Sequence, residues 1–232
     1  EVISDILQQL EELVSPKGFQ LKIAPHDHNL DKEEEQVRSM LEWSPSILII
    51  TGQEHTDATN KMLKGSSATV IQLLDLGGDT DIRVGLEHEK SGFDTTQYLI
   101  DSGCKKIAYF STRYKDDIRA QKRYTGYCEA LRNAEQQEPV LIDIPYTRNS
   151  YEDTRRHLSQ ALANPRGIDG IVATNDAIGI GAILEATQRG IAIPEQLSVI
   201  GFGDFSISSC LTPISLSSVN LNSQIIAEEL AN

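Results

Sequence analysis

The sequence predicts an α/β protein made of two Rossmann-like lobes with parallel sheets and a ligand cleft between the lobes. Apolar strand segments alternate with helical segments along nearly all of the 232 residues, an order typical of parallel sheets covered by helices on both faces. The strands are also more numerous than one compact lobe needs. The segment Ile171–Phe202 is the clearest unit, because a buried strand, polar residues, an amphipathic helix and a second buried strand follow in order.

Apolar residues at helical spacing from Ile3 to Leu13 predict that the chain opens with a helix. The elements predicted after it in the first half are a strand over 19–24, a helix over 31–41, a fully buried strand over 47–51, a helix over 56–64, strands over 69–74 and 83–85, a helix over 87–102 and a strand over 106–110. Gly103 fits the left-handed residue that ends a helix.

The second half repeats this alternation. Its predicted elements are a helix over 116–133, a strand over 140–144, a helix over 150–163, a strand over 171–173, a helix from Asp176 to Gly190, a strand over 197–202, a strand-like run over 215–221 and a helix over 224–230. We expect lobe one to cover 1–111 and to be completed by 219–232, lobe two to cover 112–218, and the crossover to fall near Phe110–Arg113.

The composition limits the function classes. The formal net charge is −13, with 21 Lys and Arg against 34 Asp and Glu, and such a surface repels the phosphates of DNA. The three cysteines are far apart and lack C-x-x-C spacing, which indicates free thiols in a reducing compartment, hence the cytoplasm. No apolar run approaches the ~18 residues of a membrane span, so we expect no membrane partner.

Catalytic and cofactor motifs are missing from the sequence. Gly179-x-Gly181 lies inside a predicted helix, where small residues serve close packing rather than phosphate binding. No G-x-S-x-G elbow occurs. His26-Asp27-His28 follows a predicted strand, but no further Cys or His cluster completes a metal shell, which favours a solvated loop. We therefore expect a protein that is not an enzyme, with no cofactor and no metal.

Four residues near strand ends are candidate ligand contacts, each with an alternative role. Arg123 either donates two parallel hydrogen bonds to a carboxylate or to vicinal hydroxyls, or lies on the exposed surface of its helix. Asn175 follows a buried strand at a position where ligands bind in open parallel sheets, and helix capping is compatible with that contact. His55 either lines the cleft or caps the next helix. Tyr151 either stacks on the ligand or packs in the core.

Taken together, the sequence resembles the effector domain of the lactose-repressor/galactose-repressor family. The matching segments are Gly103–Tyr109 (GCKKIAY), Arg123–Tyr127 (RYTGY), Ala173–Asp176 (ATND) with Gly179 and Gly181, and Pro194–Phe202 (PEQLSVIGF). Within that family the chain is similar to gluconate-utilisation repressors, through Met40–Trp43 (MLEW), His55-Thr56 and Gly201–Asp204 (GFGD).

The resemblance implies a periplasmic-binding-protein-like fold that binds a small sugar acid such as gluconate and forms a homodimer. It implies that operator DNA is bound only through a helix-turn-helix module that precedes position 1 in the family, and that the effector shifts a conformational equilibrium. The implied effector contacts are Arg123, Asn175, His55, Thr56, Gln53, Tyr151, Ser150 and Asp204. The alternative is a sugar-binding protein of a transport system, which shares this fold.

One departure from the family pattern bears on the effector. The aspartate that binds sugar hydroxyls in the family is replaced here by Gly203. A carboxylate that faces an anionic ligand at about 4 Å costs about 4 kcal/mol at an effective dielectric constant near 20, so its replacement suits a sugar acid better than a neutral sugar. Asp204 weakens this inference unless its carboxylate points away from the ligand.

Overall fold

A computed structural model describes residues 2–27, 29–135, 137–145, 150–163, 167–211 and 213–232. Their helices are α1 (Val2–Val14), α2 (Leu30–Glu42), α3 (Asp57–Gly65), α4 (His88–Asp101), α5 (Ile118–Asn133), α6 (Ser150–Leu162), α7 (Asp176–Gln188) and α8 (Ser223–Ala231). Their strands are β1 (Ile47–Thr51), β2 (Thr69–Asp75), β3 (Ile82–Leu86), β4 (Ile107–Thr112), β5 (Val140–Ile144), β6 (Gly170–Ala173), β7 (Ser198–Phe202) and β8 (Ser217–Val219).

The strands form two parallel sheets, which confirms the predicted fold class. One sheet has three strands in the order β1-β2-β3, and the other has five in the order β5-β4-β6-β7-β8. Each strand pair in both sheets is parallel. The chain divides into two compact units, one formed mainly by His88–Leu221 and the other by Ile3–Glu87 with Asn222–Asn232. We refer to them as the large unit and the small unit.

The boundary between the units lies at 87/88 and again at 221/222, not at the predicted 111/112 and 218/219. The physical reason is the position of β4, which pairs with β5 on one side and β6 on the other in the large unit. Helix α4 joins the same unit because it packs closely on α5. A Cβ on Gly92 would lie 1.9 Å from the Arg123 carbonyl oxygen, and a Cβ on Gly126 equally close to the Glu89 carbonyl oxygen.

The five-stranded sheet carries the larger core. Every residue of β6 is buried, as are the first five residues of β4 and the last four of β7. Helix α7 is buried nearly all round, because Gly179 and Gly181 allow Leu216 and Thr154 to contact it closely. A Cβ on Gly179 would lie 2.7 Å from Leu216. These glycines therefore serve helix packing, as predicted, and not phosphate binding.

The small unit is less completely buried than its sequence predicts. The apolar run of β1 was expected to be fully buried, yet Ile47 is 40% exposed and buried and partly exposed residues alternate along the strand. The cause is that β1 pairs only with β2 and forms an edge of its sheet. Residues 19–24, predicted as a strand, form none, so a short apolar run is not enough without a paired neighbour.

Candidate functional site

Arg123 lies on the inner face of α5, close to the carboxyl ends of strands in the large unit. Asp117 is the N-cap of α5. Its side chain accepts hydrogen bonds from the Arg119 and Ala120 amides at 3.0 and 3.2 Å, the usual arrangement at the start of a helix. Arg123 is only 7% exposed. The alternative role of a surface arginine is therefore wrong for this residue, whose side chain is directed inward.

His88, Thr174 and Phe202 contact the Arg123 guanidinium. Its Nη1 lies 3.0 Å from His88 Nδ1, and its Nη2 donates to the Thr174 carbonyl oxygen at 3.4 Å. Its Cζ lies 4.2 Å from the centre of the Phe202 ring, within the range of a cation–π contact. Because a guanidinium only donates, His88 Nδ1 accepts, which leaves the proton of the neutral imidazole on Nε2.

The charge of Arg123 is only partly compensated. The buried Nε has no hydrogen-bond partner, and in the described parts of the chain no carboxylate forms a salt bridge with this side chain. Asp117 interacts with it electrostatically, and the Oδ1 atom of Asp117 accepts the two amide hydrogen bonds that cap α5. A buried guanidinium with an unused N–H donor is suited to an anionic group that supplies two acceptor oxygens.

The pKa of Asp117 reports the positive field around Arg123. Burial alone would raise this pKa, but the charges of Arg123 and Arg119 and the two capping amides outweigh burial, and the pKa lies below its ordinary value. The ion pair with Arg119 is long, at 3.7 Å between Nε and Oδ1. The carboxylate therefore stays ionised near neutral pH and offsets part of the local positive charge.

Asn175 caps helix α7, the role that the sequence left compatible with ligand contact. Its Oδ1 accepts from the Ile178 amide at 3.0 Å, and its backbone is extended as at other N-caps. The cap uses only the oxygen of the side chain, so the amide protons of Asn175 are not part of it. The position directly after β6, next to Thr174, places Asn175 beside a residue that contacts Arg123.

The sequence analysis missed the role of Asp176, which directly follows the candidate contact Asn175. It is fully buried, and its carboxylate accepts from the Phe205 amide at 2.7 Å, from Ser208 Oγ at 2.6 Å and from Ser218 Oγ at 2.5 Å. These bonds tie α7 to β8 and to the loop after β7. The strand-end pair Asn175-Asp176 marked this place in the sequence, but the three distant donors did not.

That loop explains why glycine stands at position 203. Gly203 has a φ of +125°, which side chains rarely adopt, and a Cβ there would lie 2.9 Å from the Phe205 ring. The neighbouring Asp204 is exposed and has a φ of +50°, and its amide donates to Ser218 Oγ at 2.9 Å. In this chain the glycine thus has a backbone reason, in addition to any effect on ligand charge.

The remaining predicted contact of the large unit is on α6. Tyr151 lies in the first turn of that helix and is 40% exposed, so its alternative role as a core residue is wrong. Ser150 is the first residue of α6, and its side chain lies outside the described residues. Neither residue is brought to Arg123 by a contact that the structure describes.

In the small unit, His55 and Thr56 are both held by acidic residues of α2. His55 Nδ1 lies 2.8 Å from Glu33 Oε2, and Glu33 is only 4% exposed. Thr56 Oγ1 donates to Glu34 Oε2 at 2.7 Å and accepts from the Thr59 amide at 3.0 Å, which caps α3. The helix cap predicted as an alternative for His55 is therefore provided by Thr56.

Gln53 and His55 line the same pocket on the small unit, together with side chains from α3, β2 and the loop after β2. Gln53 Nε2 donates to Asp75 Oδ1 at 3.1 Å. The other polar lining residues include Asn60, Lys64, Gln72 and Asp79. The structure thus brings two of the predicted contacts together, and Thr56 adjoins them in the sequence.

Metal binding and membrane spanning find no support in the described residues. No group of three or more His, Cys, Asp or Glu side chains among them could hold a metal ion. His28 of the His26-Asp27-His28 motif lies outside the described residues, and His26 Nε2 lies 3.8 Å from Glu33 Oε1. None of the helices described is both long and apolar enough to cross a bilayer. All three cysteines are free thiols.

Comparison with known proteins assigns the fold to a family. Residues 96–232 match the model of the periplasmic binding protein-like domain. The transcriptional regulator IdnR of Escherichia coli K12 is 32% identical over 228 residues, which cover 94% of this chain and 65% of that protein. The transcriptional regulator GntR of Pseudomonas aeruginosa is 28% identical, over 98% of this chain and 66% of that protein.

Solved structures agree with this assignment. A LacI-family transcriptional regulator from Silicibacter pomeroyi superposes with a TM-score of 0.91 at 26% identity, over 98% of this chain and 68% of that chain. The regulator GntR of Chromobacterium violaceum superposes with a TM-score of 0.90 at 28% identity, over 99% of this chain and 84% of that chain.

The present chain spans 63% to 66% of the length of the curated relatives named IdnR and GntR. The match to the domain model covers more than half of the 232 residues. The chain therefore belongs to the periplasmic-binding-protein-like domain family, and the relatives and solved structures named above, to which it is similar, are transcriptional regulators, one of them described as a member of the LacI family.

Proposed function

We propose that this chain is the effector-sensing and dimerisation part of a cytoplasmic transcriptional repressor, and that its effector is a small sugar acid such as gluconate. The single observation that carries the effector class is Arg123, which is buried, has an unused Nε and forms no salt bridge with a carboxylate of the described chain. The named relatives are transcriptional regulators, which supports a regulatory role over transport or catalysis.

A carboxylate fits Arg123 better than a hydroxyl does. The Nε–H and the outer N–H of a guanidinium form a planar fork that matches the two oxygens of a carboxylate, and charged hydrogen bonds of this kind are about twice as strong as neutral ones. Phe202 fixes one face of the guanidinium, and His88 and Thr174 hold its Nη atoms. The group is therefore oriented before the ligand arrives, which lowers the entropy cost of binding.

The other predicted contacts complete the proposal. The hydroxyls of the sugar acid would be bound by side chains that donate or accept hydrogen bonds, namely Gln53, His55, Thr56, Ser150, Tyr151, Asn175 and Asp204. Binding would favour one of two conformations of a homodimer, and such couplings typically amount to about 1–3 kcal/mol. Operator DNA would be contacted by a module outside this chain, because the net charge of −13 opposes binding of phosphates.

Calorimetric titration of the chain with gluconate and with glucose tests the effector class. We expect saturable binding of gluconate and much weaker binding of glucose. Arg123→Met should weaken gluconate binding by about 10- to 100-fold, since hydrogen bonds to charged groups contribute about 1.5–3 kcal/mol. Arg123→Lys should weaken it less, because the charge stays but the fork is lost.

The matched control is Arg132→Gln, which removes one positive charge from an exposed position in the last turn of the same helix. This variant should bind gluconate as the unmodified chain does. Equal binding of glucose and gluconate, or unchanged gluconate binding in Arg123→Met, would show that the effector is not recognised through this guanidinium.

A further inference from the structure

Asp75 is the last residue of β2, the middle strand of the three-stranded sheet. It is fully buried, although burial of an ionised carboxyl group costs free energy unless other groups bind it. It lies at the carboxyl end of a parallel strand, the edge at which ligands bind in open sheets. None of the contacts proposed for the effector is Asp75 itself, but it is bonded to one of them, Gln53.

The backbone directly before Asp75 is strained. Leu74 has a φ of +67°, a left-handed conformation that is uncommon for residues with a Cβ. Gly85 of β3 allows this kink, because a Cβ there would lie 2.6 Å from the Leu74 carbonyl carbon and 2.4 Å from the Asp75 amide nitrogen. Side chains of a regular strand alternate between its two faces, so the kink changes the direction of the Asp75 side chain. Backbone strain of this kind is concentrated at functional sites.

The Asp75 carboxylate fixes the orientation of the Gln53 amide. The two residues are neighbours because β1 and β2 are parallel with Thr51 opposite Leu73, and each lies two positions further along its segment. Gln53 Nε2 donates to Asp75 Oδ1 at 3.1 Å. Since a carboxylate only accepts, the nitrogen end of the amide must face it. Gly77 packs closely on the same amide, because a Cβ there would lie 2.7 Å from Gln53 Nε2.

The other end of the amide, Oε1, is therefore the atom that Gln53 offers to a ligand. Gln53 is partly exposed, so a ligand is able to reach it. An amide oxygen accepts the proton of a hydroxyl group, whereas a carboxylate brings only further acceptors and is repelled by the negative charge of Asp75. Lys64 lines the same pocket as Gln53, but its charge is compensated by Asp79 at 2.7 Å.

We propose that Asp75 is a specificity-determining residue of the effector site, which acts through Gln53 so that this part of the site binds a hydroxyl group and rejects a second carboxylate. This role rests on the function proposed above, in which Arg123 binds the carboxylate of a sugar acid. The effector class is thereby narrowed to sugar acids with one carboxylate. Asp75 does not touch the effector, because its side chain has no exposed surface.

Calorimetric titration of the whole chain with gluconate and with glucarate tests this role, because glucarate differs only in a second carboxylate that replaces the terminal hydroxymethyl group. We expect glucarate to bind about tenfold more weakly than gluconate, the effect of about one hydrogen bond. Asp75→Asn removes the charge and allows the Gln53 amide to turn round. It should weaken gluconate binding by about threefold and strengthen glucarate binding, so the preference for gluconate falls by about tenfold.

A second variant and a control separate this role from a structural one. Gln53→Lys changes a partly exposed residue and replaces the acceptor with a donor that pairs with Asp75. It should also lower the preference for gluconate, and it tests the role if Asp75→Asn does not fold. The control is Asp31→Asn, which removes one acidic charge from an exposed position of α2 in the same unit and should leave the preference unchanged.

Failure of this role is distinguishable from failure of the proposed function. If gluconate binds but glucarate binds equally well, or if neither Asp75→Asn nor Gln53→Lys lowers the preference for gluconate, Asp75 does not set specificity and the role of Arg123 stands. Equal losses of both affinities in Asp75→Asn, or the same change of preference in Asp31→Asn, would also overturn the proposal for Asp75. Absence of gluconate binding to the unmodified chain would overturn both proposals.

Discussion

Arg123 and His55 are both basic side chains that follow a parallel strand, but their surroundings differ. His55 lies 2.8 Å from a buried glutamate, and its neighbour Thr56 is bonded to a second glutamate. Arg123 is equally enclosed, yet a histidine, a carbonyl oxygen and an aromatic ring stand where a carboxylate would be expected. The comparison teaches that burial of a basic group does not reveal whether its charge is already used within the protein.

The difference has an energetic consequence. Removing one member of a buried hydrogen-bonded pair leaves the other without its partner and costs free energy, whereas a buried charge that lacks an ionic partner already costs free energy that an oppositely charged ligand can recover. The small unit therefore uses its acidic helix α2 for stability, and the large unit keeps Arg123 in a state suited to an external anion. Each of the following predictions tests one part of this contrast.

The largest expected effect concerns the helix contact that holds Arg123 in place. Gly126→Ala would bring a Cβ to 1.9 Å from the Glu89 carbonyl oxygen, so α4 and α5 would have to separate. We expect a loss of about 3 kcal/mol in the free energy of unfolding, at the upper end of the range for overpacked sites. Urea denaturation measures this change.

The control for that variant is Gly65→Ala at the end of α3, where a Cβ would meet nothing within 4 Å. It should leave stability unchanged or raise it by up to about 1 kcal/mol, because alanine favours the helix more than glycine does. Similar effects of the two variants would show that the loss of stability in Gly126→Ala does not come from the close approach of α4 and α5.

The second prediction concerns the carboxylate that holds His55. Glu33→Ala should lower the free energy of unfolding by about 2 kcal/mol, because it leaves a buried imidazole without its hydrogen-bond partner. Glu35→Ala is a suitable control, since Glu35 is on the same helix and exposed. Thermal unfolding followed by circular dichroism measures both, and equal midpoints for the two variants would contradict the role assigned to Glu33.

The third prediction concerns the stability of a variant that lacks the Arg123 side chain. The loss should be smaller than that of Glu33→Ala, although both variants remove a buried charged residue. Arg123→Met should lower the free energy of unfolding by about 1 kcal/mol in the absence of ligand. The variant loses the cation–π contact and leaves two acceptors, His88 Nδ1 and the Thr174 carbonyl oxygen, without their donor, but removal of an incompletely paired charge offsets part of that cost. The same urea experiment measures it. A loss as large as that of Glu33→Ala would mean that Arg123 serves the fold and not a ligand.

The smallest expected effect concerns pH and Asp117. Its folded-state pKa is below the ordinary value, so its charge stabilises the fold above about pH 4 and that contribution disappears as pH falls through the folded pKa. Asparagine caps helices as well as aspartate does. Asp117→Asn should therefore cost up to about 1 kcal/mol at neutral pH, the usual size of a charge effect at a helix start.

Urea denaturation at neutral pH and at the lowest pH where the chain stays folded measures this dependence. The difference in the free energy of unfolding between Asp117→Asn and the unmodified chain should become smaller as pH falls. A difference in the free energy of unfolding that stays constant with pH would show that the carboxylate acts only as a hydrogen-bond acceptor. It would also show that the charge of Arg123 does not stabilise the ionised form of Asp117.

The sequence by itself determined the α/β class, the parallel sheets and most of the elements. Strand–helix alternation is a local property, since each apolar run and each helical periodicity is complete within a few residues. Asn175 was also predictable, because a helix cap depends on its own side chain and an amide three residues later. These features need no knowledge of distant parts of the chain.

The tertiary structure alone decided how each site is paired. The partner of the Arg123 guanidinium is His88 and not a carboxylate, and His88 lies 35 positions away in the sequence. The three donors to Asp176 lie 29 to 42 positions away. The exposure of β1 and the absence of a strand at 19–24 were decided in the same way. Burial and charge pairing depend on which segments become neighbours, and sequence spacing carries no record of those neighbours.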